Sequence, residues 1–283
     1  MGSDIMDKCI GSVYLEDGNF KKIDLFKEAA LSDVCAVYEV IRVVDGIPLF
    51  LGDHLKRFEN SALISNVKLW LSSEEIEKYL YELISKNSLK SGNVKLVFNF
   101  IVVDGKFTPK NYMFFVIPHL YPSESDYING VETIVYHGER KNPNAKVQDL
   151  GFRQEVEIEI KKAKAFEAIL IDRRGFITEG SKSNIFMVKG DRVITAPLDA
   201  VLPGTTRSNI MQICRDCKII VSEEEVHENY IEDLDGLFIC GTSPKVLPIS
   251  KIDSFLFSSA TNELIIKIMK CYDNNVRSYL EKS

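Results

Sequence analysis

Two-residue turns of aspartate and glycine constrain this chain more than any other feature. Asp45-Gly46 separates Val34–Val44 from Ile47–Leu51, and Asp104-Gly105 joins Val94–Val103 to Tyr112–Ile117. Gly190-Asp191 stands between Asn184–Val188 and Arg192–Thr195. The flanking runs are β-rich, and such pairs tolerate the positive φ of tight hairpin turns, so the spacing predicts hairpins. Further short strands are expected at Val131–Tyr136, Ala168–Asp172, Phe176–Thr178, Leu237–Cys240 and Val246–Ile249.

Helical periodicity is interleaved with these runs. Asp53 stands where it can cap a helix carrying Leu55, Phe58 and Ala62 on one face. Ser72 and Glu75 form a capping box ahead of Ile76, Tyr79, Leu80, Leu83 and Ile84. Later helices are expected from about Arg153 to Glu167, from near Thr205, and at the end of the chain with Leu264, Ile265, Ile268 and Met269 on one side. The mixture implies an α/β (α+β) two-domain fold with mixed sheets. A length of 283 residues agrees with about two domains. The breakers from Pro118 to Gly130 put a linker at 119–130, between a small N-terminal domain (1–118) and a larger C-terminal domain (131–283).

Composition removes several classes of function. Asp and Glu total 41 against 35 Lys and Arg, a formal charge of −6, which argues against a nucleic-acid surface. The longest apolar run, around Val94–Val103, is broken by Lys95 and Asn99, so no membrane span is expected. Six cysteines spread over this length suggest reduced thiols in a cytoplasmic protein. The four histidines show no ligand spacing, and Cys214-Arg215-Asp216-Cys217 lacks a second pair, so no metal site is expected.

Four local constellations carry possible chemistry. Glu179, in Thr178-Glu179-Gly180-Ser181-Lys182-Ser183, follows a strand and can pair with a protonated ring nitrogen; alone, its default reading is a solvated turn. Leu202-Pro203-Gly204-Thr205-Thr206-Arg207 opens a helix with a glycine and two hydroxyls, which suits an anion or an ordinary cap. Gly241-Thr242-Ser243 is a second small, hydroxyl-rich turn. Asn142-Pro143-Asn144-Ala145-Lys146 holds a lysine on a stiff turn; a surface charge is the default reading, but partial desolvation can make such a lysine a nucleophile toward aldehydes.

Together these motifs resemble the class IV (fold type IV) pyridoxal-phosphate aminotransferases, over about 31–64 and 131–250. Val37-Tyr38-Glu39-Val40-Ile41-Arg42 and Asp53-His54-Leu55-Lys56-Arg57-Phe58 are similar to the family's early strand and phosphate-binding arginine. The resemblance implies pyridoxal 5′-phosphate (PLP) as cofactor and Lys146 as the Schiff-base lysine and proton shuttle. It implies Glu179 on the pyridine nitrogen, and Arg57, Thr205, Thr206, Thr242 and Ser243 on the phosphate. Tyr38, Arg42 and Asn99 are candidates to meet the substrate. A homodimer is implied too.

The chain departs from its relatives in two places. No tyrosine follows Lys146 closely, as it does in branched-chain enzymes, and Leu96-Val97-Phe98-Asn99-Phe100 lacks the Arg-x-His pair of D-amino acid enzymes. The missing pair argues against D-amino acid transamination, and Phe98 and Phe100 on the site strand favour a hydrophobic side chain; the resemblance then implies a branched-chain or other hydrophobic L-amino acid as donor and 2-oxoglutarate as acceptor. The rivals are D-amino acid transamination, 4-amino-4-deoxychorismate lyase chemistry and a non-catalytic PLP-binding scaffold.

Overall fold

The computed structural model describes residues 8–27, 35–119, 121–147 and 149–283. Val34, at the head of the first expected strand, and residues 31–34 of the resemblance lie outside them. The chain forms two compact units. Unit 1 comprises Met1–Leu120, Ala145–Gln148 and Tyr279–Ser283, and unit 2 comprises Tyr121–Asn144 and Asp149–Ser278.

Unit 1 is built on six strands: β1 (Ile10–Glu16), β2 (Asn19–Lys22), β3 (Cys35–Val44), β4 (Ile47–Pro48), β5 (Ser91–Val103) and β6 (Lys106–Ile117). They form one sheet in the order β2-β1-β6-β5-β3-β4. Every pairing in it is antiparallel. The β3–β4 hairpin turns as its sequence demands, with Asp45 at φ 53° and Gly46 at φ 81°. Helices α1 (Leu51–Ile64) and α2 (Ser73–Lys86) cover one face. Alternation along the strands sends Val37, Ile41, Leu96, Phe98 and Phe114 to that face, where they pack with Phe58, Ile76 and Leu80.

The capping box of α2 forms as read, with Ser72 accepting from the Glu75 N–H and Glu75 accepting from the Ser72 N–H. Helix α1 begins earlier than expected. Its N-cap is Phe50, in the left-handed region at φ 52°, and Asp53 lies inside the first turn. Tertiary packing sets this start. The Phe50 ring packs tilted against Tyr279 at 4.9 Å, and the Tyr279 hydroxyl accepts the Leu51 N–H at 3.3 Å.

Unit 2 carries α3 (Glu124–Asn129), β7 (Val131–His137), α4 (Leu150–Ala163), β8 (Glu167–Ile171), β9 (Ile177–Gly180), β10 (Asn184–Lys189) and β11 (Arg192–Thr195). After these come α5 (Thr205–Asp216), β12 (Ile220–Glu223), β13 (Gly236–Gly241), β14 (Lys245–Ile252), β15 (Phe255–Leu256) and α6 (Glu263–Lys282). The nine strands make a mixed sheet in the order β12-β11-β10-β13-β14-β7-β8-β9, with β15 beside β14 and β9 also paired to β10. Parallel pairs are β11–β12, β14–β7 and β7–β8.

Two sequence readings change here. The stretch read as a linker contains α3, capped by Ser123 and Asp126. The helix expected to end at Glu167 ends at Ala163, where Lys164 turns left-handed at φ 56° and releases Glu167 into β8. No helix among the described residues is long and apolar enough to cross a membrane.

Candidate active site

In unit 1 the early strand and α1 build a buried ionic cluster. Glu39 points from β3 toward the helices and is fully buried. Its carboxylate accepts from Arg57 Nε at 2.7 Å and Nη2 at 2.6 Å, and its Oε2 lies 2.9 Å from His54 Nδ1. Burial alone would push the Glu39 carboxyl up, but the charge and hydrogen bonds of Arg57, with those of His54, hold it down at about 2. His54 is shifted down by its own burial, which outweighs the raising effect of Glu39. One edge of the Arg57 guanidinium is thus committed to Glu39. The helical i,i+3 spacing of His54 and Arg57 puts both on one carboxylate.

Lys146 belongs to the short segment of unit 1 that borders β3. Val147 bridges Val37, the Lys146 carbonyl accepts the Tyr38 N–H at 3.2 Å, and the Lys146 N–H donates to Ser61 Oγ at 3.1 Å. Ser61 Oγ in turn donates to the Arg57 carbonyl at 2.8 Å. The Lys146 backbone is therefore tied to both β3 and α1. Its ammonium sits 4.8 Å from the centre of the Tyr38 ring, and that of Lys95 lies 5.1 Å from the same ring.

Tyr38, Arg42 and Asn99 share a sheet face. The pairs Tyr38–Val97, Arg42–Asn93 and Ala36–Asn99 put these side chains, with Lys95, on the face opposite the helices. Asn99 Nδ2 donates to Asn111 Oδ1 at 2.9 Å. The register also corrects one expectation. Phe98 and Phe100 point to the helix side, against Phe58 and Trp70, and so say nothing about the donor's side chain.

In unit 2, Glu179 is the penultimate residue of β9 and is buried. Its Oε2 accepts the Leu202 N–H at 3.0 Å, and Arg140 Nη1 stands 3.4 Å from its Oε1. The Leu202 turn leads directly into α5, whose N-cap is Gly204 and whose first turn carries no side-chain cap. Thr205 and Thr206 are buried at that start. A Cβ at Gly204 would collide with Asn184 Oδ1, while Asn184 Nδ2 holds the Leu202 carbonyl at 2.9 Å. The cross-strand pair Asn184–Cys240 brings the turn after β13, with Thr242 and Ser243, to the same end of the sheet. An uncapped helix start, buried hydroxyls and a glycine too confined for a Cβ fit a phosphate group.

The structure thus groups Arg57, Lys146, Tyr38, Arg42 and Asn99 in unit 1, and Glu179, Thr205, Thr206, Thr242 and Ser243 in unit 2. Sequence reading missed Glu39, His54, Ser61 and Arg140. Only the i,i+3 spacing of His54 and Arg57 offered a signal. Among the described residues no group of His, Cys, Asp or Glu is arranged to hold a metal ion.

Comparison with known proteins gives the family. The chain matches the model of the amino-transferase class IV family over residues 36–252, and it belongs to that family. The D-alanine aminotransferase of Bacillus licheniformis is 29% identical over 259 residues, covering 87% of this chain and 89% of that one. The branched-chain-amino-acid aminotransferase-like protein 2 of Arabidopsis thaliana is 27% identical over 229 residues, covering 77% of this chain and 41% of that one. In three dimensions, the branched-chain aminotransferase of Thermoproteus uzoniensis, solved with norvaline, superposes with a TM-score of 0.85 at 24% identity, covering 96% of this chain and 97% of that one.

Proposed function

We propose that the chain binds PLP and transfers an amino group from an amino acid to a 2-oxo acid such as 2-oxoglutarate. The observation that carries this reading is the junction in unit 2 of a buried carboxylate, Glu179, with the uncapped start of α5 through the Leu202 N–H. PLP, when bound, supplies an aldehyde for the amine and a pyridine ring that stores the electrons released at the substrate's Cα. Glu179 holds the proton on the pyridine nitrogen. Thr205, Thr206, Thr242, Ser243 and the uncommitted edge of Arg57 bind the phosphate. Lys146 would hold the cofactor through its amine and would move a proton at the substrate's Cα. Tyr38, Arg42 and Asn99 orient the substrate.

The favoured donor is a branched-chain or other hydrophobic L-amino acid, supported by the lack of an Arg-x-His pair at Leu96–Phe100. D-alanine is the second reading, supported by the 29% identical relative of that activity. The working form in this reading is a cytoplasmic homodimer, which light scattering tests.

Purified protein is expected to hold PLP and to show its visible absorption. Borohydride reduction should leave the cofactor mass on the Lys146 peptide, and Lys146→Ala should remove it. Single additions of L-leucine, D-alanine and aminodeoxychorismate then separate the donors, since only a substrate converts the bound cofactor to its amine form. Protein that takes up no PLP would end the proposal.

A further inference from the structure

The end of α5 and the face of α6 hold a thiol pair that the transamination site does not use. Cys217 caps α5, and its Sγ lies 3.1 Å from Cys271 Sγ on α6. A second contact fixes the register of the two helices there. Lys267, one helical turn before Cys271, donates from Nζ to the Cys217 carbonyl at 3.1 Å, as suits a cation at a helix C-terminus. Both cysteines are half-buried and keep solvent access.

We infer that Cys217 and Cys271 form a reversible disulfide site that reacts with small disulfides of the glutathione class. The two sulfurs need to close by about 1 Å to reach the covalent separation of about 2.05 Å. One thiolate attacks a sulfur of the small disulfide, forming a mixed disulfide and releasing one small thiol. The second cysteine, as thiolate, then displaces the other small thiol and closes the Cys217–Cys271 bond. The protein dithiol is oxidised, the small disulfide is reduced to two thiols, and the two protein protons pass to them.

The sequence alone points to a different partner. Cys214 and Cys217 form the C-x-x-C, yet Cys214 is fully buried, and burial pushes its thiol up to about 12. It is the member of the trio least able to react. Burial also raises the Cys271 thiol, so the exchange calls for mildly alkaline buffer and an excess of the small disulfide.

Tryptic mapping decides the matter, because Arg215, Lys218, Lys270 and Arg277 separate the three cysteines onto different peptides. After exposure of the full-length protein to oxidised glutathione, Asp216-Cys217-Lys218 is expected to be linked to the Cys271–Arg277 peptide, with loss of two hydrogens from the intact mass. Dithiothreitol should reverse the link. Cys271→Ser should abolish it, and Cys214→Ser should leave it in place. A Cys214–Cys217 link, a disulfide between two chains, or stable glutathione adducts on both cysteines would each overturn the inference. The wild-type map alone suffices if a variant fails to fold.

Discussion

Replacing Glu39 with Gln tests how the buried cluster holds Arg57. The substitution keeps the volume of the side chain and removes its charge, leaving Arg57 buried beside His54 without its counter-ion. Removing one partner of a buried ion pair costs about 3–5 kcal/mol. Linkage gives a similar figure. The Glu39 carboxyl falls from 4.5 to about 2 on folding, and at about 1.4 kcal/mol per pH unit this is worth about 3 kcal/mol.

The sign follows from the depressed pKa. Stability from Glu39 is fully present above pH 4.5 and is lost as pH falls toward 2. Trp70, the one tryptophan of the chain, packs on Phe98 and Phe100 in the same unit, so its fluorescence reports on this core. With a urea slope of about 2 kcal/mol/M, Glu39→Gln should lower the midpoint by about 1.5 M at pH 7. The gap to wild type should narrow below pH 4.5. Equal midpoints at pH 7, or a gap unchanged down to pH 3, would refute the reasoning.

Other outcomes follow from the same geometry. Gly204→Ala should weaken PLP binding by at least tenfold, read by cofactor titration, because its Cβ displaces Asn184 from the Leu202 turn. Glu179→Gln should cut kcat by at least a hundredfold while PLP affinity changes far less, since it keeps an acceptor for the Leu202 N–H but supplies no charge to the ring nitrogen. Glu167 is buried and its carboxyl is pushed up by desolvation, so wild-type stability from this group is present below pH 4.5 and is lost as pH rises through the folded value. Glu167→Gln should therefore gain on wild type as pH rises above 4.5 in thermal melts. His54, held down by burial, should make unit 1 less stable as pH falls below 6.5, and His54→Gln should flatten that slope of the Trp70 transition.

Much of this protein is local and therefore legible in the sequence. The Asp45-Gly46, Asp104-Gly105 and Gly190-Asp191 turns and the Ser72–Glu75 box depend on dihedral preference and capping over a few residues. The motifs around Glu179, Leu202–Arg207 and Gly241–Ser243 are likewise contiguous, and the resemblance to class IV aminotransferases rests on them. What depends on side-chain direction and long-range packing was decided only by the tertiary structure. Strand register turned Phe98 and Phe100 to the helix side and left Asn99 and Lys95 beside Tyr38 on the other. Docking of Tyr279 started α1 at Leu51 instead of behind Asp53. A carboxylate fifteen residues from His54, Glu39, became the centre of a buried cluster because burial makes an unpaired Arg57 too costly. Cys217 likewise found its near neighbour not three residues away but on α6, since helix packing rather than spacing sets which thiols meet.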